Sequence, residues 1–173
     1  MLIPAEFAQL IDELNRRELP YVVIGGIAVN LLGRERLTRD VDVLVPATKA
    51  QGEAIRKLLD ELDATRMDGS PLPDVWFDGE HHIRARTRLG IIDFIPEGEG
   101  PLSWASVNAS APDDELYGVA VRRASLGHIV ALKRLANRPQ DQADLARLEQ
   151  AYGPLPDAMQ DDPGRSGHET DDT

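Results

Sequence analysis

Two aspartates, Asp40 and Asp42, stand two positions apart in the run Asp-Val-Asp-Val-Leu-Val. The alternation of acidic and β-branched residues predicts a strand over 40–45, which Pro46 ends. A strand period of two places both carboxylates on one face, with Cα atoms about 6.6 Å apart. Two such carboxylates can converge on one hard cation. The same pattern is common on the solvent face of an ordinary strand, so the pair alone leaves both interpretations open.

A third acidic residue, Asp93, lies in the middle of the apolar run Ile-Ile-Asp-Phe-Ile. The run predicts a further strand over 91–95, closed by Pro96. A lone carboxylate is costly to bury, so Asp93 must be paired, bound to a metal or placed at a cleft. Asp93 is therefore the third candidate acid, and an ion pair with an arginine or a helix N-terminus is the structural alternative.

Two adjacent glycines, Gly25 and Gly26, follow the apolar run 21–24 and precede the segment 27–32. We expect a buried strand, a tight turn and a short helix here. Glycine lets the backbone approach a phosphate closely, and the helix start aims N–H groups at it. Neither the Gly-x-Gly-x-x-Gly nor the Walker Gly-Lys-Ser/Thr pattern is present, so the glycines by themselves indicate a phosphate site only weakly.

Arg36 and Thr38 precede the aspartate pair with the same spacing of two residues. If the strand begins early, both side chains share the face of the carboxylates. A solvated loop is the alternative.

Lys133 lies within a helix predicted over 126–136, where an ordinary lysine would be a surface residue. Asp141 and Asp144 occupy the first turns of the next predicted helix, where acids suit the helix dipole. We expect these two acids to orient Lys133 or Arg138.

Three arginines, Arg84, Arg86 and Arg88, alternate with less polar residues ahead of the third acid. On a strand they line one face, which is either solvated or able to receive phosphates of a nucleotide or an RNA acceptor. The adjacent His81 and His82 point to opposite sides of such a strand and do not form a zinc site.

The elements that must position these residues alternate between helices and strands. Apolar spacing predicts helices over 4–18, 48–63, 126–136 and 139–151, and a last strand over 119–123. The Asp78-Gly79 pair predicts a two-residue hairpin turn between 75–77 and 82–89. The polar stretch 97–115 has no assignable pattern. The order predicts a mixed α/β or α+β domain with a small mixed β-sheet, flanking helices and a helical C-terminal part.

Composition restricts the class of protein. The chain has 173 residues, 42% of them hydrophobic, no cysteine and a formal net charge of −11. One domain over 1–153 accounts for the core, and the acidic, Pro- and Gly-rich residues 154–173 predict a disordered tail. Without cysteine there is no disulfide, cysteine nucleophile or thiolate metal site. The negative charge does not favour long-range attraction to nucleic acid. No membrane span or signal pattern is visible, so we expect a cytoplasmic protein without a membrane partner.

Taken together, the apolar strand, the two glycines, the Asp-Val-Asp motif and the later acid resemble the nucleotidyltransferase superfamily related to DNA polymerase β. The segment 33–45 looks closer still to the minimal and abortive-infection-type nucleotidyltransferases of bacterial toxin–antitoxin systems, which show Arg-x-Thr-x-Asp-h-Asp. The segment 131–145 is similar to their C-terminal Leu-x-x-Lys…Arg-Pro-x-Asp-x-x-Asp-Leu helices. The resemblance covers roughly 5–150.

This resemblance implies a nucleotidyltransferase fold and a two-metal phosphoryl transfer. The catalytic residues, which are also the implied ligands of Mg²⁺ (or Mn²⁺), are Asp40, Asp42 and Asp93. Asp93 could in addition accept the proton of the acceptor hydroxyl. Three clustered carboxylates repel one another, so at least one should have a raised pKa when no metal is bound. The implied nucleotide-binding residues are Gly25, Gly26, Arg36, Thr38 and Lys133.

The implied reaction moves a nucleoside monophosphate from an NTP to a hydroxyl of a tRNA end, a protein or a small molecule such as an aminoglycoside. A cognate toxin or antitoxin partner, or a role in phage defence, is implied as well. The alternative is a non-catalytic nucleotidyltransferase-like protein that acts through a partner protein, although the presence of all three acids argues against it. A haloacid-dehalogenase-type phosphatase is excluded because the polar run 34–39, not an apolar strand, precedes Asp40.

Overall fold

The computed structural model describes residues 3–157, so the predicted tail over 154–173 lies outside the described residues from position 158 onward. Within this range the helices are α1 Ala5–Arg16, α2 Gly25–Leu31, α3 Lys49–Glu61, α4 Trp104–Ser110, α5 Leu126–Ala136 and α6 Pro139–Tyr152. The strands are β1 Val22–Ile24, β2 Asp40–Val45, β3 Ile83–Thr87, β4 Gly90–Pro96, β5 Asp113–Leu116 and β6 Val119–Arg122. None of the helices in this range is both long enough and apolar enough to cross a membrane.

The central sheet has four strands in the order β1-β2-β4-β3. Strand β2 runs parallel to β4 and antiparallel to β1, while β3 runs antiparallel to β4. Strands β5 and β6 form a separate antiparallel ribbon. The α+β class with a small mixed sheet and flanking helices is therefore confirmed.

One face of the central sheet belongs to the hydrophobic core. Alternate residues of a strand point to the same side, and Val41, Val43, Ile92 and Phe94 are all buried on this side. The apolar stripes of the flanking helices join the same cluster; these include Leu10, Ile11 and Leu14 of α1 and Ile55, Leu58 and Leu59 of α3. Asp40, Asp42 and Asp93 have the opposite parity, so they project from the other face of the sheet.

The predicted hairpin around Asp78 and Gly79 is wrong. Asp74–Asp78 forms a short 3-10 helix instead of a strand. This turn packs closely on α3, because a Cβ atom on Gly52 would lie 2.3 Å from the backbone oxygen of Phe77. The local turn signal at Asp78 and Gly79 is thus overridden by tertiary packing.

Strand β3 forms a hairpin with β4, which follows it in the chain, and not with the segment before it. Thr87 pairs with Gly90, and residues 88–89 form the turn between β3 and β4. The Thr87 hydroxyl accepts the N–H of Leu89 at 3.0 Å and donates to the Gly90 carbonyl at 2.8 Å. These bonds fix the register between β3 and β4.

The polar stretch 97–115 contains more structure than its sequence indicates. It holds a 3-10 helix over Gly100–Leu102, then α4 and β5. The Ser103 hydroxyl caps α4 by accepting the N–H of Ser106 at 3.3 Å. The last predicted strand is present as β6, and its partner is β5.

Candidate functional site

Four residues lie side by side across the central sheet. Asp42 on β2 is the register partner of Ile24 on β1 and, on its other side, of Asp93 on β4. Asp93 in turn is the register partner of Arg84 on β3. Register partners project from the same face of a sheet. The pairing of the strands therefore brings two carboxylates and a guanidinium to one place, and Asp40 lies two residues before Asp42 on the same face.

Asp40, Asp42 and Asp93 form the acid cluster. Each residue offers one carboxylate oxygen, and these oxygens lie within 4.8 Å of one another. Oxygen ligands from several carboxylates at this spacing fit a hard divalent cation. The structure thus brings together the three acids that the sequence singled out.

Asp42 is the member of the cluster without a direct counter-ion. Among residues 3–157, no side chain or backbone group forms a hydrogen bond or ion pair with its carboxylate. Burial, followed by the negative charges of Asp40 and Asp93, raises the pKa of Asp42 from 3.8 to about 7, although Arg84 and Arg138 act in the opposite direction. The expectation that one acid of the cluster has a raised pKa is confirmed.

Asp93 is buried, and both of its carboxylate oxygens have partners. His82 Nε2 lies 2.7 Å from Asp93 Oδ1, and Arg84 Nη1 donates to Asp93 Oδ2. The same guanidinium donates from Nη2 to Asp40 Oδ2 at 3.0 Å, so it bridges two acids. The hydrogen bond to Asp93 is also the main cause of a raised pKa of His82. The ion pair with an arginine is therefore present, yet Asp93 still lines a cavity.

This cavity has a volume of about 720 Å³. Of the residues predicted from the sequence, those in its wall are Gly25, Gly26, Arg36, Asp40, Asp42, Asp93 and Lys133. Thr38 lies behind the wall: it is buried, and its hydroxyl donates to the Asp40 carbonyl at 3.1 Å. His82, Arg84 and Arg138 also line the cavity, so the site has both acidic and basic sides.

The two glycines lie against the acid cluster because β1 ends opposite Asp42. The helix α2 begins at Gly25 itself, two residues earlier than expected. A Cβ atom on Gly25 would lie 2.1 Å from Asp42 Oδ2. A Cβ atom on Gly26 would lie 2.6 Å from the Thr38 hydroxyl and 2.7 Å from Arg36 Nη2. The space that a side chain would need at each position is already filled by a residue of the site.

Asn30 is a residue of the site that the sequence reasoning missed. Its Nδ2 donates to the carbonyls of Gly26 at 2.9 Å and Arg36 at 2.8 Å, and its Oδ1 accepts the N–H of Arg36 at 3.1 Å. Asn30 therefore holds the Arg36 loop against the diglycine turn. The available signal was a lone amide in an apolar helix, because a buried amide needs hydrogen-bond partners.

Lys133 is buried and belongs to an ion network between α5 and α6. Its Nζ lies 2.7 Å from Asp144 Oδ2 and 3.3 Å from Asp141 Oδ1. Asp144 also accepts a hydrogen bond from Arg36 Nη1 at 2.9 Å, and Asp141 accepts one from Arg138 Nε at 2.7 Å. The two acids of α6 thus orient Lys133, as expected, and they also hold two arginines at the cavity wall.

Comparison with protein-family models and with curated protein sequences gives no match. Comparison with solved structures does, and the matching structures are nucleotidyltransferases. The matches extend over 85% to 86% of this chain, so the chain has the nucleotidyltransferase fold predicted from its motifs.

The chain is similar to the solution structure of the antibiotic-resistance factor ANT(2'')-Ia, with a TM-score of 0.60 and 18% identity over 86% of this chain and 83% of that chain. The crystal structure of ANT(2'')-Ia in complex with adenylyl-2''-tobramycin matches with a TM-score of 0.56 and 18% identity over 85% and 90% of the two chains. The lincomycin-bound lincosamide antibiotic adenylyltransferase LnuA matches with a TM-score of 0.57 and 16% identity over 86% and 97%.

Proposed function

We propose that this protein is a divalent-cation-dependent nucleotidyltransferase, which transfers a nucleoside monophosphate from an NTP to a hydroxyl group. The observation that carries the proposal is the Asp42 carboxylate, which lies between two other acids and beside Gly25 and has no direct counter-ion among the described residues. Such a largely buried carboxylate is unfavourable unless a cation or a proton neutralises it. The nucleotidyltransferase fold of the chain supports the same activity.

Asp40, Asp42 and Asp93 would hold the cations. Their carboxylates supply oxygen ligands alone, which suits Mg²⁺ or Mn²⁺, and the unpaired Asp42 has the coordination capacity that a bound cation requires. When bound, such cations neutralise phosphate charge and stabilise the negative charge on the attacking and leaving oxygens of an in-line displacement. The protein contributes the position of the carboxylates and of the two substrates.

The NTP would bind on the side of the cavity formed by Gly25 and Gly26. At both positions glycine leaves room for the neighbouring residues of the site, and the backbone of the turn lies in the cavity wall, where a triphosphate would approach it. Arg36 and Lys133 supply positive charge on this wall, and both are held there by Asp144. Thr38 would act from behind Gly26, where its hydroxyl supports the turn.

The acceptor hydroxyl would bind on the opposite side, near β3 and β4. Its oxygen attacks the α-phosphorus, pyrophosphate leaves, and the hydroxyl proton passes to Asp93 as the general base. His82 is bonded to Asp93 and its side chain is 57% exposed. The proton can therefore leave Asp93 for solvent through His82.

Three classes of acceptor remain candidates: a small molecule, an RNA end and a protein side chain. ANT(2'')-Ia holds adenylyl-2''-tobramycin and LnuA holds lincomycin, which favours testing small hydroxyl compounds first. A role in a toxin–antitoxin or phage-defence pair is a separate proposal, supported by the resemblance of the 33–45 segment. It predicts that the product of a neighbouring gene co-purifies with this protein.

The decisive experiment is transfer of label from α-³²P-labelled NTPs in the presence of Mg²⁺. Aminoglycosides, lincosamides, total RNA and a protein extract serve as acceptors in separate reactions. We expect labelling of one class, which EDTA and the substitution Asp42→Asn abolish. The matched control is Asp74→Asn, which removes an exposed carboxylate outside the cavity and should leave transfer unchanged. Absence of transfer to every class would contradict the proposal and favour the non-catalytic alternative.

A further inference from the structure

The guanidinium of Arg84 bonds to two different acids of the cluster. Its Nη2 lies 3.0 Å from Asp40 Oδ2, and its Nη1 donates to Asp93 Oδ2. Both acids are ligands of the divalent cation in the proposed function. Arg84 therefore engages carboxylate oxygens that a divalent cation would use.

The sheet explains why an arginine can do this. Arg84 is the register partner of Asp93, and Asp40 lies on the next strand but one. The planar guanidinium presents donors in a fixed fork, so it can bond to two carboxylates at once, which a single ammonium does less well. The side chain of Arg84 is 43% exposed, so it can also turn away into solvent without unpacking the core.

The next arginine on the same face behaves differently. Arg86 is the register partner of Ile91 and is exposed. In the part of the chain that the structure describes, no acid or acceptor pairs with its guanidinium. A position on this face of β3 is therefore not enough to produce the bridge, and Arg86 is a matched control for Arg84.

Arg84 also differs from the other basic residues of the cavity wall. Lys133 and Arg36 are tied to Asp144, which is not part of the acid cluster. Arg138 is paired with Asp141. Of the basic residues in the wall, His82 pairs with Asp93 alone, whereas Arg84 pairs with two of the acids that would bind the cation.

We propose that Arg84 is a positioning residue that serves as the built-in counter-ion of the acid cluster. It holds Asp40 and Asp93 together while no divalent cation is bound, and it gives up both carboxylates when they bind one. The inference rests on the proposed function, because it takes the cluster to be a cation site. Like charges at this spacing repel, and the bridging guanidinium offsets that repulsion. Cation binding must then break two ion pairs, so Arg84 sets the cation concentration at which the site fills.

The test is a calorimetric titration of the full chain with Mg²⁺, for the wild type, Arg84→Gln and Arg86→Gln. We expect the Mg²⁺ dissociation constant of Arg84→Gln to be about five- to tenfold lower, the size expected for two partly exposed ion pairs. Arg86→Gln removes the same charge from the same face and should change the constant by less than about twofold.

Thermal melting separates this role from a merely structural one. In EDTA, Arg84→Gln should melt at a lower temperature than the wild type, because the acids then repel without a counter-ion. In saturating Mg²⁺ the difference between the variant and the wild type should disappear. Loss of a merely structural contact would instead lower the melting temperature of the variant by the same amount in EDTA and in Mg²⁺. If Arg84→Gln does not fold, Arg84→Lys replaces it: this variant keeps the charge but loses the fork, and should bind Mg²⁺ more tightly than the wild type.

The outcomes distinguish the two proposals. Equal or weaker Mg²⁺ binding in the Arg84 variants overturns the role of Arg84 and leaves the proposed function standing. Binding to the variant but not to the wild type supports the inference. If neither the wild type nor any variant binds Mg²⁺, the proposed function fails, and the inference fails with it.

Discussion

The carboxylate oxygen Oδ2 of Asp42 lies 2.1 Å from the position that a Cβ atom would take on Gly25. Gly25 also has a φ of +64°, a conformation that L-residues with side chains adopt only at a cost. Position 25 thus requires glycine for two separate reasons. The turn after β1 therefore packs directly against the acid cluster, and a side chain at position 25 must displace the Asp42 carboxylate.

The substitution Gly25→Ala should therefore weaken Mg²⁺ binding. Displacement of one ligand of the cluster by its neighbour is expected to raise the Mg²⁺ dissociation constant by about 10- to 100-fold. The left-handed backbone should cost a further 1–2 kcal/mol or so of unfolding free energy. Titration calorimetry measures the first effect and urea unfolding the second.

Gly33→Ala is the matched control for this prediction. Gly33 has a φ of +78°, but no atom of residues 3–157 other than its own neighbours lies within 4 Å of the position of its Cβ atom. This variant should lose similar stability and keep its Mg²⁺ affinity. If Mg²⁺ binding weakens equally in both variants, the contact between position 25 and Asp42 is not responsible.

A side chain at Gly26 should affect nucleotide binding rather than cation binding. The Cβ atom of Gly26→Ser would collide with the Thr38 hydroxyl behind the cavity wall and with Arg36 Nη2, and would displace Arg36 from the wall. We expect about tenfold weaker binding of the α,β-methylene analogue of ATP, measured by calorimetry in Mg²⁺, in line with the loss of one charge-assisted contact. Mg²⁺ binding alone should stay unchanged, and Arg36→Ala should reproduce the loss. Wild-type affinity in Gly26→Ser would show that neither side chain assists the nucleotide.

The raised pKa of Asp42, about 7, predicts a pH dependence of cation binding. Below pH 7 the carboxyl is protonated, and Mg²⁺ must displace that proton. The apparent Mg²⁺ affinity should therefore fall by up to about tenfold for each pH unit below 7 and level off above it. Calorimetry between pH 5.5 and pH 8.5 tests this, and a flat profile would contradict a proton on Asp42.

The same carboxyl predicts the pH dependence of stability in EDTA. The unfolded chain loses this proton near 3.8, while the folded protein keeps it up to about 7. Between these values the folded state binds more protons, so the contribution of Asp42 to the unfolding free energy falls as pH rises and is constant above pH 7. Asp42→Asn removes this contribution. The unfolding free energy of Asp42→Asn should therefore rise relative to that of the wild type as the pH increases from 4 to 7.

Asp144 should be the residue on which the ion network of α6 depends. It is fully buried and bonds to both Lys133 and Arg36. Asp144→Asn leaves Arg36 without its buried counter-ion and Lys133 with Asp141 alone, and we expect a loss of about 3–5 kcal/mol in unfolding free energy by urea titration. Asp74→Asn, which breaks an ion pair with Arg56 where the acid is 90% exposed, should cost about 1 kcal/mol or less. Similar losses in both variants would show that the buried network contributes no more than a surface pair.

Local sequence patterns were sufficient to predict features that are set within a single helix or strand. The spacing of Asp40 and Asp42 predicts a shared face, and β2 covers the residues that the alternation indicated. Ser125 is the N-cap of α5 and Pro139 is the first residue of α6, which agrees with the preferences of serine and proline for those positions. These features depend on backbone geometry within one segment, so the sequence of that segment is enough to predict them.

Local patterns failed where two distant segments decide the result. Asp78 and Gly79 have the chemistry of a hairpin turn, yet the preceding residues form a 3-10 helix packed on α3. His82 was set aside as half of a histidine pair, although it bonds to Asp93. Arg84 was one of three equivalent arginines, although it alone of the three lies opposite Asp93. In each case the partner lies on another element, and strand register or helix packing decides which groups meet.

The chain alone determined which residue types could serve a cation and a phosphate, because a strand places every second side chain on one face. It also indicated the nucleotidyltransferase fold, through the order of glycines and acids. Only the tertiary structure decided that Asp42 faces Asp93, that Arg84 bridges two of the acids, and that Asp144 ties Lys133 to Arg36. The reason is physical: these relations depend on how strands align and helices pack, and the free energy of that alignment is spread over the whole core.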